Sequence, residues 1–285
     1  LENPYTLMEK NEWTISKMTQ MAKAATKNIT GKERMTIDDQ WGLVQIGYNC
    51  AGAETVVASY GAEMLKNDGK GNITYNMDDK KVIDAINMAN QIFKKNGTSW
   101  SDIANDTALC NVFKSGRGLF LGAQLKYLKS EKINDMKDDF GLVPYPRADK
   151  AAKIGSFTDW NSFVFMLPSN LKAEDAKAAA SFLQAFCYES QNNTINSFYS
   201  DYQNRYFRDG ASSVKMLQTV MSTQKLATSS ILGSHTIWGI HAGVYQVLYN
   251  CVTGSKDTQT FVESTRKATI SNLSDVIKTI NKNLN

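Results

Sequence analysis

The chain has 285 residues, is 42% hydrophobic and 10% aromatic, and carries 32 Lys and Arg against 28 Asp and Glu for a net charge of +4. That length and apolar share suffice for one large core or two modest ones. The charges are interspersed and basic runs such as Lys80-Lys81 and Lys94-Lys95 are short, so the clustered basic stripe needed for nucleic acid is excluded.

In chain order, Thr14 is an N-cap candidate, and Ile15, Met18, Ala22 and Ala25 recur at helical spacing behind it. A looser stretch, Gly31 to Gln40, leads to Trp41, and a second apolar helix is expected around Val56 to Leu65. Asn67-Asp68-Gly69 signals a turn before a short strand, Ile73-Thr74-Tyr75. Asp78 or Asp79 then caps an amphipathic helix with Val82, Ile86, Ala89 and Phe93 on one face, ended by Gly97.

Ala108 to Lys114 reads as helix, Leu119-Phe120-Leu121 as a buried strand, and Phe140-Gly141-Leu142-Val143 as another before Pro144. Phe163 to Leu167 is expected to be a further buried strand, feeding a helix with Ala176, Ala179, Phe182, Leu183 and Phe186 on one face. Residues 190–212 are polar and Tyr-rich. Helices over Val214 to Met221, Trp238 to Val252 and Thr258 to the end complete the chain. Short apolar strands alternating with helices predict an open, helix-rich α/β sheet with covered faces.

Chemistry-bearing motifs are few. His235 and His241 are the two histidines, six apart and so on different helix faces, which argues against metal triads and most general-base schemes. Gly116-x-Gly118-x-x-x-Gly122 precedes a strand, whereas phosphate-cradling glycines follow one. Cys50, Cys110, Cys187 and Cys251 lack zinc-ligand spacing. Cys110 and Cys187 lie in apolar helical patterns and are expected as buried thiols, with a single disulfide left open. No apolar run approaches the roughly 20 residues of a membrane span, and Leu1-Glu2-Asn3-Pro4 does not read as a secretory leader.

Several segments together carry a family resemblance: VFKSGRGLFLG (Val112 to Gly122), DDFGLVPYPRAD (Asp138 to Asp149), MLPSN before an Ala-rich helix, and FYSDYQNRYFRDGASSVKML (Phe198 to Leu217). The pattern resembles the family 1 extracellular solute-binding proteins of carbohydrate ABC importers, over essentially the whole chain and more loosely between 23 and 75. The resemblance implies an α/β, type II periplasmic-binding-protein-like fold, helix-rich and consisting mainly of the second lobe. Residues 1–162 and 210–285 would form that lobe, and 163–209 the returning segment of the first. That segment would lack most of its usual sheet partners and be less well packed, or contact another chain.

By the same resemblance the protein binds carbohydrate outside the cell, without catalysis or cofactor, and delivers it to ABC transporter permease subunits. Membrane association would come only through an N-terminal lipid anchor that this chain does not carry, and a chain lacking part of the pocket would bind weakly. The site residues implied are Trp41, Gln124, Asp159, Trp160 and Trp238. A sugar ring has an apolar face and a polar rim, so stacking aromatics beside Asp or Gln acceptors suit it. The alternatives are an extracellular carbohydrate-active enzyme, a glycan-adhesion domain, or a receptor that docks a sensor kinase.

Overall fold

The computed structural model describes residues 1–47, 51–68, 70, 72–102, 105–130, 132–158, 165–207, 209–226, 228–229, 232, 243–254 and 256–284. The first helix, α1 (Pro4–Glu9), starts with Pro at its first position and Asn3 Oδ1 accepting from Tyr5 N at 2.8 Å. In α2 (Ile15–Ala25) the Thr14 hydroxyl accepts from Lys17 N, and Ile15, Met18, Met21 and Ala22 face the core, as their spacing predicts.

The segment after Trp41 is a strand, β1 (Trp41–Ile46), that the sequence reading passes over, and all six of its residues are buried. The next helix is shorter than expected. It is α3 (Ala53–Ser59), and Leu65 belongs instead to β2 (Leu65–Asn67), which pairs antiparallel with β3 (Ile73–Tyr75). Asp79 caps α4 (Lys80–Asn90), its carboxylate accepting from Lys81 N. A π-helical turn, Gln91–Lys95, extends α4, and Gly97 closes the unit at φ +63°, a conformation that favours glycine.

β4 (Ser99–Asp102), α5 (Asp106–Lys114) and β5 (Gly118–Gly122) follow. The sheet order is β4-β1-β5, with both pairings parallel and Leu43 opposite Ser99 on one side and Phe120 on the other. Leu43 joins the main core, while Val44 and Ile46 join a second cluster with Leu109, Val112 and Ile133. A strand covered on both faces reads as a continuous apolar run rather than an alternation.

The remaining elements are a 3₁₀ turn at Leu125–Lys129, β6 (Ser156–Thr158), α6 (Ala173–Glu189), a π-helical turn at Ser190–Thr194, α7 (Ile195–Arg205), α8 (Ala211–Ser222), β7 (Gln224–Leu226), α9 (Val244–Thr253) and α10 (Thr258–Leu284). β6 and β7 pair in parallel. The main core gathers α2, α3, α4, the β2–β3 hairpin, α9 and α10. Buried Asn90 donates through Nδ2 to the carbonyls of Cys251 and Val252 at 3.2 and 2.9 Å, satisfying two of the acceptors that the end of α9 leaves open.

Three expectations are corrected. Phe140 to Val143 is in no ladder: Leu142 N donates to Ser213 Oγ at 2.7 Å, and the chain pairs later, at Arg147 with Thr14. Phe165, Met166 and Leu167 are exposed and outside any strand. Cys187 is exposed, whereas Cys110 and Cys251 are buried, their thiols pushed up by burial to about 11 and about 12. Cys50 lies outside the described residues.

The looser packing expected over 163–209 holds for α6, which has no buried residue. Phe182 and Phe186 are 68% and 47% exposed; their ring centroids lie 6.4 Å apart, and Phe186 also meets Phe165 at 5.7 Å. It does not hold for α7. Tyr202 and Phe207 are buried with Leu128, Val214 and Leu217 in a third apolar cluster.

Candidate ligand-binding cavity

A cavity of about 470 Å³ opens at the carboxyl ends of β1 and β5. In open α/β sheets the crevice beyond those ends is where ligands bind, and the volume lies within the roughly 300–1,000 Å³ of small-molecule sites. Gln45, Ile46, Gly122, Ala123 and Gln124 form one side, and the segment 140–146 forms another. Phe120, Tyr127, Phe140 and Tyr145 give the wall its aromatic character.

The 140–146 segment is held by side chains as well as backbone. Trp13, 1% exposed, donates through Nε1 to Pro144 O at 2.8 Å, and its ring lies 5.5 Å from Phe120. Ile15 N donates to Arg147 O at 2.8 Å, and Arg147 N to Trp13 O at 3.3 Å. Behind the segment the Tyr5 hydroxyl bonds Asp209 and, at 2.9 Å, Ser213 Oγ. Burial, and then the Asp209 bond, push that hydroxyl up to about 12. A Cβ on Gly141 would collide with the Tyr5 hydroxyl, so the chain needs glycine where it crosses this knot.

Tyr127, Tyr145 and Gln45 are among the polar side chains of the wall that lie outside the sequence-derived set. Tyr127 donates to Asp106, and burial followed by that bond raises its hydroxyl well above the usual tyrosine range. Tyr145 carries a buried hydroxyl with no partner among the described residues, which burial likewise raises. Gln45, 3% exposed, donates through Nε2 to Ile46 O at 2.9 Å and Gly122 O at 3.1 Å, and its Oε1 has no partner among the described residues. The signal for Gln45 is present in the sequence: one polar residue within an otherwise apolar run.

Of the residues expected from the sequence, Gln124 lines the cavity. Trp41 is a correction. It is 5% exposed, donates through Nε1 to Thr36 O at 2.8 Å, and meets Trp100 at a centroid distance of 5.2 Å. Its position at the head of the buried middle strand makes it core. The preceding loop is anchored on buried Asp39, which accepts from Ile29 N, Thr30 N, Thr30 Oγ1 and Thr36 N. Burial raises the Asp39 carboxyl, but these bonds outweigh it and hold the group well below the usual carboxylate range. Asp159, Trp160 and Trp238 lie outside the described residues.

A second cavity, of about 540 Å³, is bordered by Glu54, Tyr60, Lys81, Asp149 and Lys225. The Glu54 carboxylate there accepts from Ser229 Oγ at 2.6 Å and from the Tyr245 hydroxyl. No residue of β1 or β5 lines this second cavity, and its charges are of both signs.

No protein-family model matches the chain, and no curated protein matches it in sequence. Solved structures do. A cyclo/maltodextrin-binding protein complexed with maltotetraose aligns with a TM-score of 0.61 at 15% identity, covering 94% of this chain and 65% of that one. The maltose/maltodextrin-binding domain MalE from Bdellovibrio bacteriovorus, bound to maltotriose, aligns at 0.58 and 16%, covering 93% and 67%. An ABC transporter solute-binding protein from Agrobacterium radiobacter K84 in complex with ribitol aligns at 0.51 and 11%, covering 91% and 64%. The chain thus spans about two thirds of these structures or slightly less. It has the α/β, type II periplasmic-binding-protein-like fold that they share.

Proposed function

We propose that this chain is the ligand-receiving part of an extracellular solute-binding protein, capturing a carbohydrate or related polyol for an ABC-type importer without chemical conversion. The observation that carries the reading is the cavity at the carboxyl ends of β1 and β5, walled by Phe120, Tyr127, Phe140 and Tyr145 and edged by Gln45 and Gln124. Aromatic faces take the C–H surface of a polyol, and amide groups take its hydroxyls. Each buried polar group then discriminates against a ligand lacking its partner hydroxyl. The same fold binding maltotetraose, maltotriose and ribitol in other proteins supports this ligand class.

In this reading Gln124 contacts ligand directly, with Asp159, Trp160 and Trp238 completing the site. Residues 1–162 and 210–285 form the second lobe, and 163–209 belong to the first. The uncovered apolar face of α6 supports that division, because Phe182 and Phe186 have the spacing of a helix meant to be covered. Delivery to permease subunits and a lipid anchor on the full-length protein follow from the same assignment.

Calorimetric titration of the full-length protein with maltotriose, glucose and ribitol, paired with an assay for new reducing ends, tests the proposal. Saturable binding without new reducing ends is the expected result. Hydrolysis of maltotriose would assign the chain to the carbohydrate-active enzymes instead.

A further inference from the structure

Gln45 is placed unlike any other polar residue of the sheet. Its carboxamide lies between two glycines, Gly52 before α3 and Gly122 at the end of β5. A Cβ on Gly52 would stand 3.0 Å from Nε2 and 3.2 Å from Cδ, and one on Gly122 would overlap Oε1 outright. The slot therefore exists because two neighbouring positions lack side chains. Within it, Nε2 spends its hydrogen bonds on Ile46 O and Gly122 O. That ties the end of β1 to the start of the Gly122-Ala123-Gln124 turn, which forms the cavity edge. The carbonyl oxygen is buried, with no donor among the described residues. A buried acceptor in that condition is costly unless some state of the protein gives it a donor.

We infer that Gln45 sets the ligand selectivity of the cavity: its amide positions the Gly122–Gln124 turn, and its oxygen receives a ligand hydroxyl when that turn yields. The inference rests on the polyol-binding reading above. Gln45 is thus a positioning residue in the ligand-free protein and a ligand contact in the complex. A neutral hydroxyl donor suits this oxygen. A carboxylate or phosphate would face the oxygen itself and the carbonyls of Ile46 and Gly122, all of them acceptors.

The test compares wild type, Gln45→Met, Gly122→Ala and the double variant Gln45→Ala/Gly122→Ala in the full-length protein, with maltotriose, glucose and ribitol as probes. Gln45→Met retains the side-chain length and is expected to keep a single cooperative unfolding transition. It should weaken the tightest probe by about tenfold or more and change the ranking of the three. Gly122→Ala should lower both affinity and the unfolding midpoint. Adding Gln45→Ala relieves the overlap, so the double variant should recover the midpoint but not the affinity. Wild-type affinities in Gln45→Met, or one common factor for all three probes alongside a lowered midpoint, would reduce Gln45 to a structural brace while leaving the polyol reading intact. If wild type binds none of the probes, the polyol reading fails and takes this inference with it.

Discussion

Two helices of this chain carry the same kind of apolar face and meet opposite fates. In α4, Val82, Ile86 and Ala89 are fully buried against α3, α9 and α10. In α6, Phe182 and Phe186 hold equivalent i, i+4 positions, yet no residue of the helix is buried. Helical periodicity states which face wants covering, and only the surrounding fold supplies the cover. The contrast separates what a local pattern encodes from what a long-range partner must provide.

The largest effect should come from the covered side. Gly42 of β1 packs so closely on α2 that a Cβ would overlap the backbone of Ala22. Neither element can retreat without unfolding its neighbours, so Gly42→Ala should cost more than about 3 kcal/mol. Chemical denaturation checks this, and a loss below about 1 kcal/mol would contradict the packing of α2 on β1. Ile86→Ala in α4 should cost about 2–5 kcal/mol, measured the same way. Asn90→Ala, which strands the Cys251 and Val252 carbonyls, should cost about 1–3 kcal/mol.

Asp39 sharpens the comparison through pH. Its carboxyl lies well below the usual range in the folded chain, against about 3.9 when unfolded. Its contribution is therefore complete above pH ~4 and is lost as the pH falls through the folded value. Between about pH 4 and 2 the wild type should lose more stability than Asp39→Asn, and parallel pH curves for the two would contradict the anchoring of the 27–40 loop. Smallest is the uncovered side: Phe186→Ala in this chain should change stability by less than about 0.5 kcal/mol. A cost approaching that of Ile86→Ala would mean that α6 is covered in solution.

Much of the scaffold was legible in the residues because it is written in local signals. The Thr14 and Asp79 caps, the Ile73–Tyr75 strand, the α5–β5 pair and the Gly97 stop each depend on a few adjacent residues. The central strand was not, because Trp-Gly-Leu-Val-Gln-Ile shows no alternation and its pairing partners lie far along the chain. Phe140 to Val143 misled for the converse reason. Phe140 and Leu142 do pack in a cluster with Leu128 and Leu217, but a serine hydroxyl rather than a strand takes the Leu142 N–H. Gln124, expected by resemblance, does line the cavity, whereas Trp41, expected in a loop, is the head of a buried strand. Gln45 is marked in the sequence as the one polar side chain in an apolar run, but that its oxygen and the Tyr145 hydroxyl lack partners among the described residues took three-dimensional placement.

The parallel sheet also imposes a timetable on biosynthesis. Its middle strand leaves the ribosome first, yet Leu43 finds its neighbours only when Ser99 and Phe120 have been made. At about 5–20 residues per second, that interval is on the order of ten seconds. Throughout it the largely apolar hexapeptide Trp41–Ile46 lacks the partners of both its hydrogen-bonding edges, the condition under which nascent chains pair with the wrong partner. When this chain is expressed inside the cell, slowing translation between residues 46 and 118 should therefore lower its soluble yield.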